Sequence, residues 1–450
     1  MFESVLVANR GEIARRVLRT ARRLGIRTIA VHSDVDADLP FVREADEAVL
    51  LGGAPIAESY RNAERVLEAA RATGAKAVHP GYGFLSENTD FARAVQEAGI
   101  AWVGPGAAAI SAMGDKVAAR AAMAAAGVPV APGSADAVST VDEAVAEAER
   151  VGYPVMIKAS AGGGGMGMAT ASDVDGLRAE FEKVTAFAER TFGDGRLFVE
   201  RFFPSVRHVE VQVLGLADGR VIALGERDCS VQRRNQKVAE ETPSPAVDEA
   251  LRAAMCAAAV RAAEAVDYRN AGTVEFLLDP ATKEFFFLEM NTRLQVEHPI
   301  TEAIFGVDLV EEQLRVAAGL EPGFDVDGLK ATGHAIELRV NAEDPKRFFP
   351  GPGAITEWIE PDGEGVRVDS GYGPGTVVTP NYDSLMAKLV LFGTDRADAL
   401  EKARKAVAGF TIVGPKSNLA FHAELLENPE FVSGDYDTGI IGRMRAKPKK

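Results

Sequence analysis

Glu289-Met-Asn-Thr-Arg-Leu-Gln-Val-Glu297 sets two carboxylates, two amides and a guanidinium at alternate positions, namely Glu289, Asn291, Arg293, Gln295 and Glu297. Successive side chains of an extended chain face opposite ways, so this spacing predicts one polar face shared by all five. Immediately upstream, Phe285-Phe-Phe-Leu288 reads as a strand buried on both sides, which places the polar row inside a cleft rather than on a wet surface. A buried row of this kind needs a ligand.

Gly272-Thr-Val-Glu-Phe-Leu-Leu-Asp279 reads as a second strand, joined to the first through Pro280-Ala-Thr-Lys-Glu284. A hairpin centred on Thr282 sets Glu275 opposite Glu289, where cross-strand partners sit about 4.5–5.5 Å apart and like charges repel. A divalent cation between the two turns that repulsion into a site. The donors are all oxygen, with Asn291 a third, which suits Mg²⁺ or Mn²⁺ rather than Zn²⁺. An exposed hairpin with scattered charge is the plainer alternative.

The 450 residues predict two or three domains with large cores, and 47 % apolar content is that of an ordinary globular protein. No run of about 18 apolar residues is present, and Met1-Phe-Glu-Ser-Val-Leu-Val-Ala-Asn-Arg10 enters a strand without a basic leader, so a cytoplasmic protein with no membrane segment is expected. Cys229 and Cys256 are too few for a disulfide framework or a zinc site. A formal charge of −16 argues against nucleic-acid binding, so an anionic ligand must meet local positive charge. The one dense basic cluster is Arg233-Arg234-Asn235-Gln236-Lys237, whereas Lys447-Pro-Lys-Lys450 reads as a frayed end.

Across the first hundred residues short apolar runs (Val5–Ala8, Thr28–His32, Ala48–Leu51, Ala77–His79, Ala101–Val103) alternate with helical patterns, the signature of a parallel sheet with crossover helices. The first turn, Ala8-Asn-Arg-Gly-Glu-Ile-Ala14, lacks G-x-G-x-x-G, which points away from a dinucleotide. An Ala-rich helix over Lys116–Ala126 ending at Gly127-Val-Pro129 reads as a linker. A smaller unit follows, with a helix near Thr140–Val151, a strand over Tyr153–Lys158, a glycine run and a strand over Leu197–Glu200. The remainder is rich in strands, with helices near Ala246–Val266, Leu309–Ala318 and Ala397–Ala408.

Four glycines, Gly162, Gly163, Gly164 and Gly165, follow the strand lysine Lys158 and free the backbone to turn its N–H groups toward an anion. The P-loop pattern fails, and the extended Met168-Ala-Thr170 after Gly167 predicts a hairpin flap over nucleotide phosphates, with Lys116 beside Gly114-Asp115 as a second cation. On Arg207-His-Val-Glu-Val-Gln-Val213, alternation sets His208, Glu210 and Gln212 on one face.

Together these pieces resemble the ATP-grasp superfamily, and within it the biotin carboxylase component of biotin-dependent acyl-CoA carboxylases. The resemblance rests on Ala8–Ala14, His79-Pro-Gly-Tyr-Gly-Phe-Leu-Ser-Glu-Asn88, Met113–Lys116, Ile157–Ser160 with the glycine run, Arg227-Asp-Cys-Ser-Val-Gln-Arg-Arg234, Glu289–Pro299 and Gly333–Arg339, and runs from residue 1 to about 440. It implies an α/β and α+β architecture: a Rossmann-like N-terminal domain (1–113), a linker (114–129), an ATP-grasp lid that moves (130–203), an ATP-grasp core (204–330) and a strand-rich C-terminal domain (331–445).

Its implications for the site are specific. ATP lies between lid and core with Lys116, Lys158 and Gly162–Gly165 on its phosphates and Glu200, Phe203, His208, Gln232 and Asn235 around the nucleotide. Glu275 and Glu289, with Asn291, hold Mg²⁺ (or Mn²⁺), and bicarbonate sits among Lys237, Arg293, Gln295 and the Val296 backbone. Glu297 is the general base, its pKa lowered by neighbouring Arg293; Arg339 stabilises charge on biotin and Tyr82 lines the biotin pocket. Met166, Ala161 and Asn235 depart from residues common in the family, which implies altered lid dynamics or ATP affinity before a loss of chemistry. No Met-Lys-Met biotinylation motif occurs in the chain. Biotin then arrives on a carrier protein, a separate carboxyltransferase selects the acetyl-CoA or propionyl-CoA acceptor, as in fatty acid biosynthesis, and a homodimer is implied. Another ATP-grasp ligase that phosphorylates bicarbonate or a carboxylate, or a non-catalytic ATP-binding regulatory module, shares many of these features.

Overall fold

The computed structural model describes residues 1–134, 136–160 and 167–446. Ala161, the glycine run Gly162–Gly165 and Met166 lie outside the described residues, as do Lys447–Lys450.

Near the N-terminus, β1 (Ser4–Val7), β2 (Arg27–Ser33), β3 (Glu47–Gly52), β4 (Ala77–His79) and β5 (Ala101–Trp102) form a parallel sheet in the order β3-β2-β1-β4-β5. The helix Gly11–Arg23 buries Ile13, Val17, Leu18 and Ala21 on one face, the i, i+4, i+5, i+8 spacing of an amphipathic helix. It opens at Gly11, whose φ of +63° an L side chain seldom adopts. Gly371, from the C-terminal part, approaches so closely that a Cβ there would lie 2.5 Å from the Glu12 amide nitrogen. The two ends of the chain are therefore packed together, and one apolar cluster contains Val5, Val17, Leu338, Leu389 and Phe421.

The small unit is a three-stranded antiparallel sheet, β6 (Val155–Ala159) between β7 (Met168–Ala171) and β8 (Leu197–Arg201). Two helices cover it. Thr140 and Glu143 close a reciprocal capping box at the start of Val141–Val151. The second helix, Val174–Phe192, was not anticipated, although Asp173 caps it, Gly193 ends it in the left-handed region, and Leu177, Phe181, Val184 and Ala188 recur at helical spacing. The segment read as a linker is a packed helix, Lys116–Ala125, with Ala119 and Met123 buried in the core beneath the central sheet.

That central sheet has eight strands. β13 (Phe285–Asn291) is its edge, followed by β12 (Asn270–Leu278), β9 (Arg207–Gly215), β10 (Val221–Arg233), β11 (Gln236–Thr242), β14 (His334–Asn341) and the strands Leu385–Gly393 and Val366–Ser370. The edge position corrects the expectation for Phe285–Leu288. Only Phe287 is buried there, and Phe286 stacks on Phe203 with centroids 5.1 Å apart. Helices Glu249–Glu264 and His298–Phe305 cover the sheet. Among the described residues no helix is long and apolar enough to cross a membrane.

Candidate active site

β12 and β13 place Glu275 opposite Glu289 as expected, but the register shifts between Glu275 and Phe276: nearer the turn Phe276, Leu277 and Leu278 pair with Phe287, Phe286 and Phe285, so Leu288 is the extra residue of a bulge. The alternation upstream of Glu297 does not persist, however. The strand ends at Asn291, because the Thr292 amide and hydroxyl turn aside to donate to the Glu87 carboxylate (3.1 and 3.3 Å). Residues 292–297 bend instead, and Glu297 becomes the residue before the helix His298–Phe305. The polar row is therefore gathered by a turn and not by one strand face, and Gln295 and Glu297 reach the centre from a different direction than Glu289.

At that centre lies the ammonium of Lys237, on β11, 2.5 Å from Glu210, 2.9 Å from Glu275 and 2.6 Å from Glu297. Three buried carboxylates would repel one another strongly; their shared cation turns the repulsion into a compact ionic cluster. Beneath it Arg227 is wholly buried and uses its guanidinium fully, donating to Glu210 (2.6 Å), Gln212 (2.7 Å), Thr301 (2.9 Å), Thr273 (3.2 Å) and Gln295 (3.1 Å). Neither Arg227 nor Glu210 was singled out as a site residue from the sequence, although Glu210 shares the His208 face by simple alternation.

Glu297 is 1 % exposed and bridges Lys237 to Arg339, which lies 3.0 Å from its other oxygen. Burial opposes its ionisation, but Lys237, Arg339 and Arg227 outweigh burial and hold the carboxyl well below the usual carboxylate range. The expected partner Arg293 is engaged elsewhere, donating to Glu87 (3.0 Å) and Asn291 (2.9 Å), so it is not the principal cation beside Glu297. Arg339 in turn is held by Glu240 at 2.5 Å.

Glu275 Oε1 accepts from Lys237, Asn291 Nδ2 (2.8 Å) and Gln295 Nε2 (2.8 Å), while Oε2 lies 2.8 Å from His208 Nε2. Burial penalises its charge, and Lys237 and His208 more than restore it. Glu289 is half-exposed and 3.7 Å from Lys116. Glu275 and Glu289 supply carboxylate oxygens of the kind a small divalent cation takes, although both Glu275 oxygens are engaged by side chains in this arrangement. Asn291 donates its amide nitrogen to Glu275 and accepts at its oxygen from Arg293.

Toward the small unit, Lys158 on β6 contacts Glu200 on β8, and Arg120 reaches the same carboxylate at 3.1 Å. Burial works against that charge, but Lys158 and Arg120 lower the Glu200 pKa. Gln232 Nε2 lies 3.1 Å from His208 Nδ1. Arg234 and Asn235 form the two-residue turn of the β10–β11 hairpin at φ +49° and +64°, a conformation that Asn tolerates better than most residues. On the far side, the Val296 carbonyl accepts from Lys388 at 3.0 Å; Lys388, with no exposed surface, also lies 3.0 Å from Glu12, and Glu12 accepts from the Tyr82 hydroxyl. Lys388, Glu12 and Glu240 were also missed, since a strand lysine and two scattered glutamates carry no local signature.

Comparison with known proteins agrees with this geometry. Residues 1–110 match the family described as biotin carboxylase, N-terminal domain, residues 115–322 the carbamoyl-phosphate synthase L chain ATP-binding domain, and residues 337–443 the biotin carboxylase C-terminal domain. The chain is 49 % identical to a biotin carboxylase of Halalkalibacterium halodurans over 441 residues, 98 % of this chain and 97 % of that protein. It superposes on a crystal structure of a biotin carboxylase–β,γ-ATP complex from Campylobacter jejuni with a TM-score of 0.95 at 42 % identity, covering 98 % of this chain and 99 % of the other. On the biotin carboxylase domain dimer of Hydrogenobacter thermophilus 2-oxoglutarate carboxylase, in complex with MgADP, ADP and bicarbonate, the TM-score is 0.94 at 42 % identity and 98 % of each chain is covered. Full-length likeness at this identity, on top of an ionic cluster built around Lys237 and Glu297, leaves one conclusion: the chain belongs to the biotin carboxylase family.

Proposed function

We propose that this enzyme carboxylates biotin carried on a separate protein, using ATP and bicarbonate, as the first half-reaction of a biotin-dependent carboxylase. The observation that carries the reading is Glu297, buried between Lys237 at 2.6 Å and Arg339 at 3.0 Å, two cations that favour its ionised form. A base must be unprotonated to act on bicarbonate, and this one stays so at neutral pH.

Bicarbonate enters beside Lys237, Arg293, Gln295 and the Val296 amide, taking over part of the Lys237 ammonium from the carboxylates. Glu297 removes the bicarbonate proton while a bicarbonate oxygen attacks the γ-phosphorus of ATP, breaking its bond to the bridging oxygen, so that carboxyphosphate forms and ADP leaves. Lys116 and Lys158 oppose the charge that develops on the transferred phosphoryl group. Glu275 and Glu289 would hold Mg²⁺, which would supply further neutralisation of the phosphates. Phe203, stacked on Phe286, with Glu200, His208 and Gln232, borders the nucleotide, and Asn235 sits at a hairpin tip beside it. Carboxyphosphate then yields CO₂ and phosphate; the phosphate deprotonates biotin N1′, and Arg339 holds the resulting enolate as it captures CO₂. Tyr82 borders the biotin pocket. Carrier protein, carboxyltransferase, a homodimeric assembly and a cytoplasmic location complete the reading; the acyl-CoA acceptor is set by the carboxyltransferase.

The deciding experiment is ATP cleavage by the purified protein with Mg²⁺, with and without bicarbonate and free biotin, beside Glu297→Gln. Turnover that needs bicarbonate, rises with biotin and vanishes in the variant is the expected result. Turnover indifferent to biotin would assign a different ligase reaction.

A further inference from the structure

Behind Arg339 lies a pair of acidic residues that the reaction does not itself use. Glu240 on β11 and Glu337 on β14 are directly opposite in the antiparallel register, so their side chains share one face of the sheet. Both are buried, Glu337 with no exposed surface. Glu240 has a cation, Arg339. Glu337 has none: among the described residues neither of its carboxylate oxygens has a hydrogen-bond partner, and the second oxygen of Glu240 also lacks one.

The cations within reach are committed. Arg339 is divided between Glu240 and Glu297, Lys388 on the neighbouring strand is taken by Glu12 and the Val296 carbonyl, and Lys237 by Glu210, Glu275 and Glu297. His298, on the helix packed over these strands, is kept neutral by burial and by nearby Lys388. An ionised carboxylate with no partner is among the costliest groups to bury; a protonated one is far cheaper and gains an O–H donor. Two facing carboxylates with one cation between them are best served by one proton.

We propose that Glu337 carries a proton in the working enzyme, and that ionised Glu240 opposite it is the positioning residue that keeps Arg339 beside Glu297. A charged Glu337 would draw Arg339 away from Glu297, whereas neutral Glu337 leaves Glu240 as its anchor. The inference rests on the reading of Arg339 as the biotin-side cation. It also predicts an acid limb of activity set by Glu240. Burial, only partly offset by Arg339 and reinforced by Glu297, raises Glu240 to about 7, while Glu297 is held well below the usual range. As the pH falls through that region Glu240 protonates and releases Arg339, while the base Glu297 is still ionised.

Infrared spectra of the intact protein near pH 8 test where the proton is, since a neutral carboxyl shows a C=O stretch that carboxylates lack. The expected result is such a band in the wild type, lost in Glu337→Gln, with biotin-dependent ATP cleavage by that variant within about twofold of wild type because the amide mimics the protonated acid. Glu240→Gln should lose about tenfold or more in the biotin-dependent rate, keep its KM for ATP and lose the acid limb, with Glu240→Asp recovering part of the rate. A wild-type spectrum without that band, an inactive Glu337→Gln with wild-type circular dichroism, or a Glu240→Gln variant with wild-type rate and acid limb would overturn the proposal. A wild type with no bicarbonate-dependent turnover would instead overturn the functional reading, while the infrared band still reports the proton.

Discussion

Replacing Lys237 by Met removes one ammonium and strands three carboxylates, Glu210, Glu275 and Glu297, each within 2.9 Å of the lost nitrogen. Breaking a buried ion pair by deleting one partner costs about 3–5 kcal/mol, because the remaining charge is left without compensation. The cluster has a way to relieve that cost, which is to take up a proton. In the wild type, Glu275 and Glu297 have depressed folded-state pKa values, so their stabilisation is present above the unfolded pKa and is lost only in strong acid. Burial already raises Glu210 in the wild type, and without Lys237 at least one further carboxyl is raised above its unfolded value, so the folded variant holds one proton more than the wild type does. Its stability then falls as pH rises, by about 1.4 kcal/mol per unit and about 2.7 kcal/mol between pH 5 and pH 7 for one proton. Denaturant unfolding of both proteins at these two pH values measures the difference directly. The deficit of Lys237→Met relative to wild type should be larger at pH 7 by about that amount. A deficit independent of pH would show that the three carboxylates do not depend on Lys237 for their charge, and the electrostatic account of the site would fail.

Lys388→Met leaves Glu12 buried without its cation and frees the Val296 carbonyl, so a stability loss of about 3–5 kcal/mol is expected, with a raised KM for bicarbonate in the fraction that stays folded. Unfolding midpoints and bicarbonate titrations of ATP cleavage check both effects. Glu289→Gln should raise the Mg²⁺ concentration needed for half-maximal ATP cleavage about tenfold, and removal of Mg²⁺ by chelation should abolish turnover in both proteins; an unchanged Mg²⁺ dependence would remove Glu289 from the metal site. Thr140→Ala opens the capping box of the Val141–Val151 helix at a cost of about 1 kcal/mol, to be seen as faster amide exchange at Glu143 with no change in exchange at the central sheet.

Much of this site is legible in the sequence where the chemistry repeats at a fixed local spacing. The Glu275–Glu289 pair is expected from hairpin length and the period of two and is present in the structure, but it is reached through a bulge at Leu288 that this period does not contain. The same period fails past Asn291, because the bend at Thr292 is made by Glu87, about 200 residues earlier in the chain, and no local pattern contains such a contact. For the same reason Arg227, Lys388 and Glu240 escape notice: each acts through partners on other strands, and a single charged residue within a strand looks like an ordinary solvated one until the strand order is known. The helix Val174–Phe192 is a different case. Its apolar spacing and its cap are both present in the sequence, next to the more conspicuous glycine run.

The eight-stranded sheet continues through the expected boundary near residue 330 without interruption: β14 pairs with β11, and two further strands pair beyond it. The division visible along the chain is therefore not a seam in the folded object. A polypeptide ended at that point would present the full length of β11 as an open edge, with backbone donors and acceptors facing water and a ready template for another chain. It would also lack Arg339. Exchange of parts among relatives is accordingly constrained: a shuffled segment must bring its neighbouring strands, or the hybrid will tend to aggregate before it can catalyse anything.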